Sequence, residues 1–146
     1  MKDKNYIHDE QAHNLTDPSI IVPVIVNVLN PKSVVDVGCG IGTFLNVFKQ
    51  NGVNDILGLD GPWVDKNLLA NHISLEDFKE VDLEKGFEID KKFDLALCLE
   101  VLEHIQDHFS SNIVKSLTLA SDYIVFSASI PGQMGQNHVN EQWPDH

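Results

Sequence analysis

Apolar residues recur along the chain with two different spacings. From Ser33 onwards, short apolar and β-branched runs alternate with segments of helical period. Before that point the spacing is helical up to Pro31, with Asp17 expected as the N-cap and Pro18 suited to the first turn. The apolar positions of this first segment are Ile20, Ile21, Val24, Ile25, Val28 and Leu29. The pattern predicts an amphipathic helix followed by alternating strands and helices.

The alternation resolves into five strands and three further helices. The strands are predicted at Ser33–Val37, Ile56–Asp60, Phe78–Val81, Phe93–Leu99 and Tyr123–Ala128, and the helices at Thr43–Gln50, Val64–Ala70 and Phe109–Leu119. The first, fourth and fifth strands are apolar on both faces, as a parallel sheet covered by helices on each side requires. The predicted fold class is α/β: a doubly wound, Rossmann-like and mostly parallel sheet.

The 146 residues suit one domain. We expect an N-terminal arm over residues 1–16, a ligand-binding core over 17–130 and a loop or tail over 131–146. No signal peptide is evident at the N-terminus. The longest apolar stretch, Ile20 to Leu29, is interrupted by Pro23 and Asn27 and is too short to span a membrane.

The charge of the chain disfavours nucleic acid as a partner. The formal net charge is −12, and all ten basic residues are lysines. Such a surface would repel a phosphate backbone, and the simplest use of the charge is solubility. The two cysteines, Cys39 and Cys98, lie in a glycine-rich loop and an apolar run, which suits reduced thiols and predicts a cytoplasmic setting.

The loop after the first predicted strand contains three glycines in Gly-x-Gly-x-Gly spacing. Gly38, Gly40 and Gly42 lie between Val37 and the next helix, where the absence of Cβ atoms lets the backbone turn sharply and approach a nucleotide-like ligand. A nicotinamide dinucleotide is one alternative, but its fingerprint is G-x-G-x-x-G and here the last position is Thr43.

Acidic residues at successive strand ends favour a cationic ligand, S-adenosylmethionine (SAM), over a dinucleotide. Asp36 and Glu100 would lie near its sulfonium and amino-acid head group at the carboxyl edge of the sheet. Asp60 ends the second strand and could accept hydrogen bonds from both ribose hydroxyls, although NAD-binding folds also place an acid there. Asp82 could accept a hydrogen bond from the adenine amino group, with Leu83 against the ring.

Four segments together closely resemble the successive motifs of class I SAM-dependent methyltransferases. They are Val35–Gly42, Leu57–Gly61, Val81–Leu83 and Phe93–Ile105, within a resemblance that covers about residues 30–130. The stretch Glu100-Val101-Leu102-Glu103-His104 is similar to the branch that contains quinone-biosynthesis and many small-molecule O-methyltransferases. The resemblance implies a methyltransferase that acts on a small acceptor, sugar-like or otherwise hydroxylated.

The resemblance also assigns roles within the site. It implies that the glycines hold the methionine part of SAM, Asp60 and Gly61 the ribose side, Asp82 and Leu83 the adenine, and Leu99 and Glu100 the head group. Trp63 is expected to cover the adenine, with a plain packing role as the alternative. The family fold has seven strands, so this chain is expected to form a truncated version whose open sheet edge a homodimer could cover.

Methyl transfer to a weakly acidic acceptor needs a base. The candidates are His104, His138 and Glu141, each of which could instead have a structural role. Glu100, Glu103 and His104 form an E-x-x-E-H motif that some similar enzymes use for a divalent ion, and whether a metal binds here stays open. A SAM-binding module that lacks catalysis or needs a partner, and an NAD(P)-dependent oxidoreductase, remain alternative functions.

Overall fold

The computed structural model describes residues 13–145, which form a parallel five-stranded sheet with helices on both faces. The strands are β1 (Ser33–Val37), β2 (Asp55–Asp60), β3 (Phe78–Glu80), β4 (Leu95–Leu99) and β5 (Ile124–Ser127). The α-helices are α1 (Thr16–Leu29), α2 (Thr43–Gln50), α3 (Lys66–Ala70) and α4 (Asp107–Ala120). Short 3₁₀ turns occupy Leu75–Asp77, Leu83–Lys85 and Leu102–His104. The predicted α/β fold class is confirmed.

The strand order β3-β2-β1-β4-β5 creates a crevice at one end of the sheet. From β1 the chain builds outward through β2 to β3, and then returns to place β4 on the other side of β1. The loops after β1 and β4 therefore leave the sheet in opposite directions. In open parallel sheets this switch point, outside the carboxyl ends of the strands, is where ligands bind.

Two apolar layers hold the sheet between its helices. One layer places α1 and α2 against the face that carries Val34 and Leu97. The other places α4 against the opposite face, with Val35, Ala96 and Ile113 fully buried. The alternation of side chains along β1 and β4 feeds both layers, so the central strands are buried on both sides as their sequence predicted.

The ends of several elements differ from the prediction, and side-chain hydrogen bonds explain some of them. Helix α1 starts at Thr16, and Asp17 lies inside its first turn, so the expected Asp17 N-cap is wrong; the Thr16 N–H instead bonds Oδ1 of Asn14. Helix α3 starts at Lys66 because Asp65 caps it. Most of the predicted N-terminal arm lies outside the described residues.

Neither edge strand is as long as predicted. β3 ends at Glu80, and β5 spans Ile124–Ser127. The inner strand β4 is also shorter, since it begins at Leu95 with an isolated bridge from Phe93 to Ser121. On the far side of the sheet, β5 presents Ile124 and Phe126 to solvent, the latter 50 % exposed. No helix in the described part of the chain is long and apolar enough to cross a membrane.

Candidate active site

A cleft of about 910 Å³ opens at the carboxyl ends of β1, β2, β4 and β5, at the switch point of the sheet. Its volume lies in the range typical of small-molecule sites. Ten of the residues predicted for the site line it: Asp36, Gly38, Gly40, Asp60, Trp63, Leu83, Leu99, Glu100, His104 and His138. The fold thus brings together groups that are up to 102 positions apart in the sequence, from Asp36 to His138.

Four other predicted residues lie outside the lining. Gly42 faces Ile73, where an added Cβ would approach to 3.1 Å, and it opens helix α2. Gly61 lies beneath the ring of Trp63. Of the two acidic residues, Asp82 pairs with Lys85 away from the cleft, and Glu141 contacts His138 from behind the lining.

Asp82 is turned towards its own 3₁₀ turn. Its carboxylate accepts a hydrogen bond from the Glu84 N–H at 3.2 Å and pairs with Lys85 at 2.8 Å. The hydrogen bond from Lys85 lowers the pKa of Asp82. Leu83 next to it is buried and faces the cleft. An adenine contact at this loop would therefore fall to Leu83 directly, whereas Asp82 would first have to leave Lys85.

The glycine loop is held against β2 by backbone hydrogen bonds. The N–H groups of Gly38 and Cys39 both donate to the Leu59 carbonyl, at 2.7 and 3.2 Å. Gly38 has φ +80°, and a Cβ there would overlap the side chain of Val101. The loop is therefore fixed by contacts that need glycine, and its backbone forms one wall of the cleft.

Asp60 links the glycine loop to the end of β2. It is only 4 % exposed, and its carboxylate accepts hydrogen bonds from Gly40 N–H at 2.8 Å and from Gly61 N–H at 2.7 Å. Burial raises the pKa of Asp60, while the hydrogen bonds from Gly61, Gly40 and Trp63 act in the opposite direction. Asp60 therefore holds the glycine loop in place through Gly40, in addition to the ribose contact predicted for it.

Asp36 is a buried carboxyl group at the base of the cleft. It is 4 % exposed and forms no salt bridge with any described residue. Burial, with a smaller contribution from the nearby Asp60 charge, raises its pKa from 3.8 to about 7. A buried acid without a cation, next to a second acid, is the electrostatic environment that a positively charged ligand would relieve.

A second pair of acidic residues, Glu100 and Glu103, follows β4 and contacts Ser129, which follows β5. Glu100 has a left-handed backbone, φ +55°, which is rare for a residue with a side chain. The hydroxyl of Ser129, 1 % exposed, donates to Glu103 Oε1 at 3.2 Å and lies 3.5 Å from Glu100 Oε2. Burial first, and then the neighbouring Glu100, raise the pKa of Glu103.

The C-terminal segment brings two of the predicted catalytic residues to this acidic group. The backbone N–H groups of Val139 and Asn140 donate to the Glu103 carbonyl at 2.8 and 3.1 Å. His138 then lies with its ring centroid 5.1 Å from that of His104. Burial lowers the pKa of His104, so its neutral form is favoured. The predicted tail is therefore part of the cleft wall.

Glu141 supports His138 from outside the cleft. One carboxylate oxygen lies 2.8 Å from Nδ1 of His138, and the other accepts a hydrogen bond from the Gly132 N–H at 3.0 Å. The bond to His138 lowers the pKa of Glu141. A carboxylate on Nδ1 fixes the ring and its tautomer, which leaves Nε2 of His138 as the nitrogen that can accept a proton.

The same cluster has the residue types of a metal site. Ligand atoms of Glu103, His104 and His138 lie within 4.8 Å of one another, and Glu103 Oε2 is buried with no hydrogen-bond partner in the described part of the chain. The sequence motif had grouped Glu100, Glu103 and His104; the fold adds His138, 34 residues beyond His104. A carboxylate with two imidazoles is a donor set that suits a borderline divalent cation.

Sequence reasoning missed the wall opposite the glycine loop. His13, Asn14, Asp17 and Ile21 reach the cleft from the start of α1, and Phe126 reaches it from β5. The helical period had assigned Ile21 to a buried face, yet it is 39 % exposed. For Ile21 and Phe126 the sequence signal was an apolar side chain beyond what the sheet can cover, whereas the polar His13, Asn14 and Asp17 carried no signal that points to the cleft.

Comparison with known families agrees with the switch-point cleft and its glycine loop, which define a class I, Rossmann-like methyltransferase fold. A family model described as a methyltransferase domain matches residues 24–143. The chain therefore belongs to this methyltransferase-domain family, as its sequence motifs predicted.

Individual relatives share the domain across only part of their length. The chain is 25 % identical over 138 residues to the mitochondrial ubiquinone biosynthesis O-methyltransferase of Dictyostelium discoideum, covering 80 % of this chain and 43 % of that protein. It is 34 % identical over 82 residues to the Pseudomonas fluorescens (strain SBW25) ubiquinone biosynthesis O-methyltransferase, covering 52 % of this chain and 34 % of that protein. The chain thus spans less than half the length of these curated relatives.

A solved structure shows the same fold at low identity. Magnesium protoporphyrin IX methyltransferase from Synechocystis PCC 6803, with bound S-adenosylhomocysteine (SAH), superposes with a TM-score of 0.65. The identity is 17 %, and the alignment covers 98 % of this chain and 75 % of that one. The arrangement of strands and helices is therefore that of a methyltransferase fold.

Proposed function

We propose that the chain binds SAM in the cleft and transfers its methyl group to a small-molecule acceptor. The observation that carries the proposal is Asp36, a buried carboxyl group that lines a cleft beside the glycine loop and has no salt-bridge partner among residues 13–145. SAM has a sulfonium and an ammonium group, so it would supply the missing positive charge. The family membership and the cleft volume support the same ligand.

The residues present fit SAM along the length of the cleft. The backbone of Gly38 and Gly40 would hold the methionine part, and Asp60 the ribose hydroxyls, after exchanging its bond from Gly40 N–H. Leu83 and Trp63 offer apolar surface for the adenine. Leu99 and Glu100 complete the head-group side.

The chemical step needs little from the protein beyond orientation and a base. An acceptor oxygen forms a bond to the methyl carbon while the carbon–sulfur bond breaks, and its electron pair stays on sulfur to give SAH. We assign the acceptor proton to Nε2 of His138, with Glu141 as the positioning residue and His104 beside them. The base thus lies on the wall that the C-terminal segment completes.

Calorimetric titration with SAH tests the proposal directly. Asp60→Ala should weaken binding about thirtyfold, because a bidentate contact to the ribose is worth roughly 2 kcal/mol. Asp90→Ala removes the same charge from an exposed position outside the cleft and should leave the affinity unchanged. Absence of SAH binding at millimolar concentration, with the protein still folded, would overturn the proposal.

Two alternatives predict different outcomes of that titration. A SAM-binding module that needs a partner would bind SAH but transfer no methyl group on its own. An NAD(P)-dependent oxidoreductase would bind NADH and not SAH. The missing third glycine of the dinucleotide fingerprint, where Thr43 stands, weighs against the latter.

A divalent cation is a second candidate role for Glu103, His104 and His138. The buried and unpartnered Oε2 of Glu103 favours it, because an ion would satisfy that atom. Calorimetry with Zn²⁺ and with Mg²⁺ on SAH-loaded protein measures it, and Glu103→Gln should abolish binding. Absence of binding at millimolar metal leaves the histidines with the base role alone.

Two further features of the proposal concern the setting of the chain. The partly exposed Ile124 of the edge strand β5 supports a homodimer that covers this edge, which light scattering of the eluted protein would detect or refute. The free, buried thiols of Cys39 and Cys98 support a reducing, cytoplasmic compartment and not a disulfide framework. The acidic charge supports the absence of a nucleic-acid partner.

A further inference from the structure

The acceptor side of the cleft has a distinct charge. Beyond the residues assigned to SAM, the lining comes from the starts of α1 and α2, the turn after β4, strand β5 and the segment around His138. Among the described residues, the whole cleft lining contains four carboxylates, Asp17, Asp36, Asp60 and Glu100, and no lysine or arginine. The fixed charge around the acceptor is therefore negative.

The described lysines all lie outside the cleft lining, and most of them pair with acids elsewhere. The chain has no arginine, and none of the eight lysines between residues 13 and 145 lines the cleft. Five of them are in salt bridges: Lys49 with Asp77, Lys66 with Glu80, Lys85 with Asp82, Lys91 with Asp55 and Lys92 with Asp122. Among residues 13–145, an anionic acceptor would therefore find no lysine or arginine in the cleft lining, where the basic side chains are His13, His104 and His138.

Of the four carboxylates in the described lining, Asp17 is the one that is not assigned to SAM. We call the part of the cleft lined by Asp17, Ile21, Phe126 and Val139 its mouth. It lies in the first turn of α1, is exposed, and forms no salt bridge with the described residues. The start of α1 lines the cleft, so this exposed carboxylate faces solvent that an acceptor would displace. It is placed to receive a positive group on the acceptor.

Apolar side chains occupy the rest of the mouth. Ile21 of α1, Phe126 of β5 and Val139 of the C-terminal segment line the cleft and are 39, 50 and 61 % exposed. Exposed apolar surface inside a concave site is typical of contact with an apolar part of a ligand. Three separate segments contribute, so the apolar surface belongs to the assembled cleft.

From these observations we infer the class of acceptor, an inference that rests on the proposed methyl transfer. The acceptor is a neutral or ammonium-bearing molecule with an apolar body, which packs against Ile21 and Phe126 while Asp17 receives the positive group. Molecules bearing a carboxylate or phosphate bind more weakly than these. SAM carries a net charge of about +1 and neutralises only part of the acidic lining, so the preference persists with SAM bound.

Three catechols of the same body and different charge test the inference on SAH-loaded protein. The probes are dopamine, 4-ethylcatechol and 3,4-dihydroxyphenylacetate, with affinity measured by ligand-observed NMR titration. We expect dopamine to bind at least as well as 4-ethylcatechol, and the anion to bind about fivefold more weakly or not detectably. The difference should shrink in 0.5 M salt, because the charges are near solvent.

Variants at Asp17 assign the effect to this residue. Asp17→Asn should lower dopamine affinity about three- to fivefold and leave 4-ethylcatechol unchanged. Asp17→Lys should reverse the order of dopamine and 3,4-dihydroxyphenylacetate. Asp90→Asn and Asp90→Lys change the net charge equally at an exposed position outside the cleft and should preserve the original order.

The outcomes separate this inference from the proposed function. If SAH does not bind, the proposed function fails before the probes are added. If SAH binds and the anion binds best, or if none of the three probes binds at millimolar concentration, the acceptor class is wrong while the cofactor assignment stands. An Asp17→Asn effect equal for all three probes would show that Asp17 acts on the structure of the mouth and would also overturn the inference.

Discussion

At the scale of single residues, Asp36 is a buried carboxyl group in the cleft that is costly to ionise. Burial and Asp60 raise its pKa to about 7, so in the ligand-free protein it titrates near neutral pH. An acid whose pKa is raised by folding stabilises the folded state least when it is ionised. The site thus carries an electrostatic cost that a cationic ligand would offset.

The first prediction concerns the stability of Asp36→Asn. The change in pKa from 3.8 to about 7 corresponds to roughly 4 kcal/mol of destabilisation when the carboxyl is ionised. This cost is absent below pH 4, grows through the interval and is complete above pH 7. We expect the variant to gain free energy of unfolding at pH 8, by up to that amount, and almost none at pH 4. Urea unfolding at both values measures it, and an equal gain at pH 4 would contradict the assignment.

The same carboxyl group predicts a pH dependence of SAM binding. Below about pH 7 the cation must displace a proton from Asp36, whereas above it the carboxylate is already ionised. Affinity should therefore rise about tenfold between pH 6 and 8, with proton release visible in buffers of different ionisation enthalpy. Asp36→Asn is the control: it should bind SAM more weakly, and the tenfold rise should be lost.

Gly38→Ala tests why the loop needs glycine. The substitution places a Cβ at φ +80° and into the side chain of Val101, so it should cost roughly 2–3 kcal/mol of unfolding free energy. Gly52→Ala is a matched control, because its φ is +89° but no atom lies within 4 Å of the added Cβ. It should cost only about 1 kcal/mol, from backbone strain alone. Equal losses measured by thermal unfolding would mean that the contact with Val101 yields freely.

At the scale of elements, the sequence located the strands better than their ends. The predicted bounds of β1 and α2 match the structure, because Pro31, the glycine loop and Asn51-Gly52 mark them locally. β4 starts two residues later than predicted, because its pairing with β1 begins where Leu95 lies beside Val34. Strand ends depend on neighbours that periodicity does not identify.

The C-terminal segment is the element whose role the sequence understated. It was predicted as a loop or tail, and its residues have no regular secondary structure, yet it docks on the turn after β4. The Asn140 side chain bonds Ser110 Oγ at 3.0 Å and the Leu102 carbonyl at 3.4 Å. These contacts place His138 at the cleft, with Glu141 behind it.

Asn140→Ala should therefore loosen this segment. Loss of its side-chain hydrogen bonds, worth about 1 kcal/mol, should speed hydrogen exchange of the Val139 and Asn140 amides about fivefold. Gln142→Ala removes the hydrogen bonds from this exposed neighbour to Asp107 Oδ1 and to Asn140 Oδ1 but keeps those of Asn140 to Ser110 and Leu102, so it should have a smaller effect. Unchanged exchange in Asn140→Ala would show that the backbone bonds to Glu103 hold the segment by themselves.

At the scale of the whole molecule, the cleft is lined by elements that are far apart in the sequence. Its walls come from α1, the β1 and β4 loops, β5 and the C-terminal segment, and a bound ligand would link them. A ligand that binds only the folded state stabilises it by mass action. SAH at a hundredfold excess over its Kd should add about 2.7 kcal/mol and raise the Tm by several degrees. Asp60→Ala at the same SAH concentration should show a smaller rise, and an equal rise would contradict the ribose assignment.

The sequence by itself determined the sheet, the glycine loop and the acids at the strand ends. These are local features, since hydrophobic period and glycine spacing act over a few residues. The tertiary structure alone decided that Asp82 pairs with Lys85, that Glu141 supports His138 and that Asp17 lies at the cleft mouth. Such relations depend on loop paths and on contacts between distant segments. Local residue patterns specify which elements form, but contacts between elements set the position of each side chain in the site.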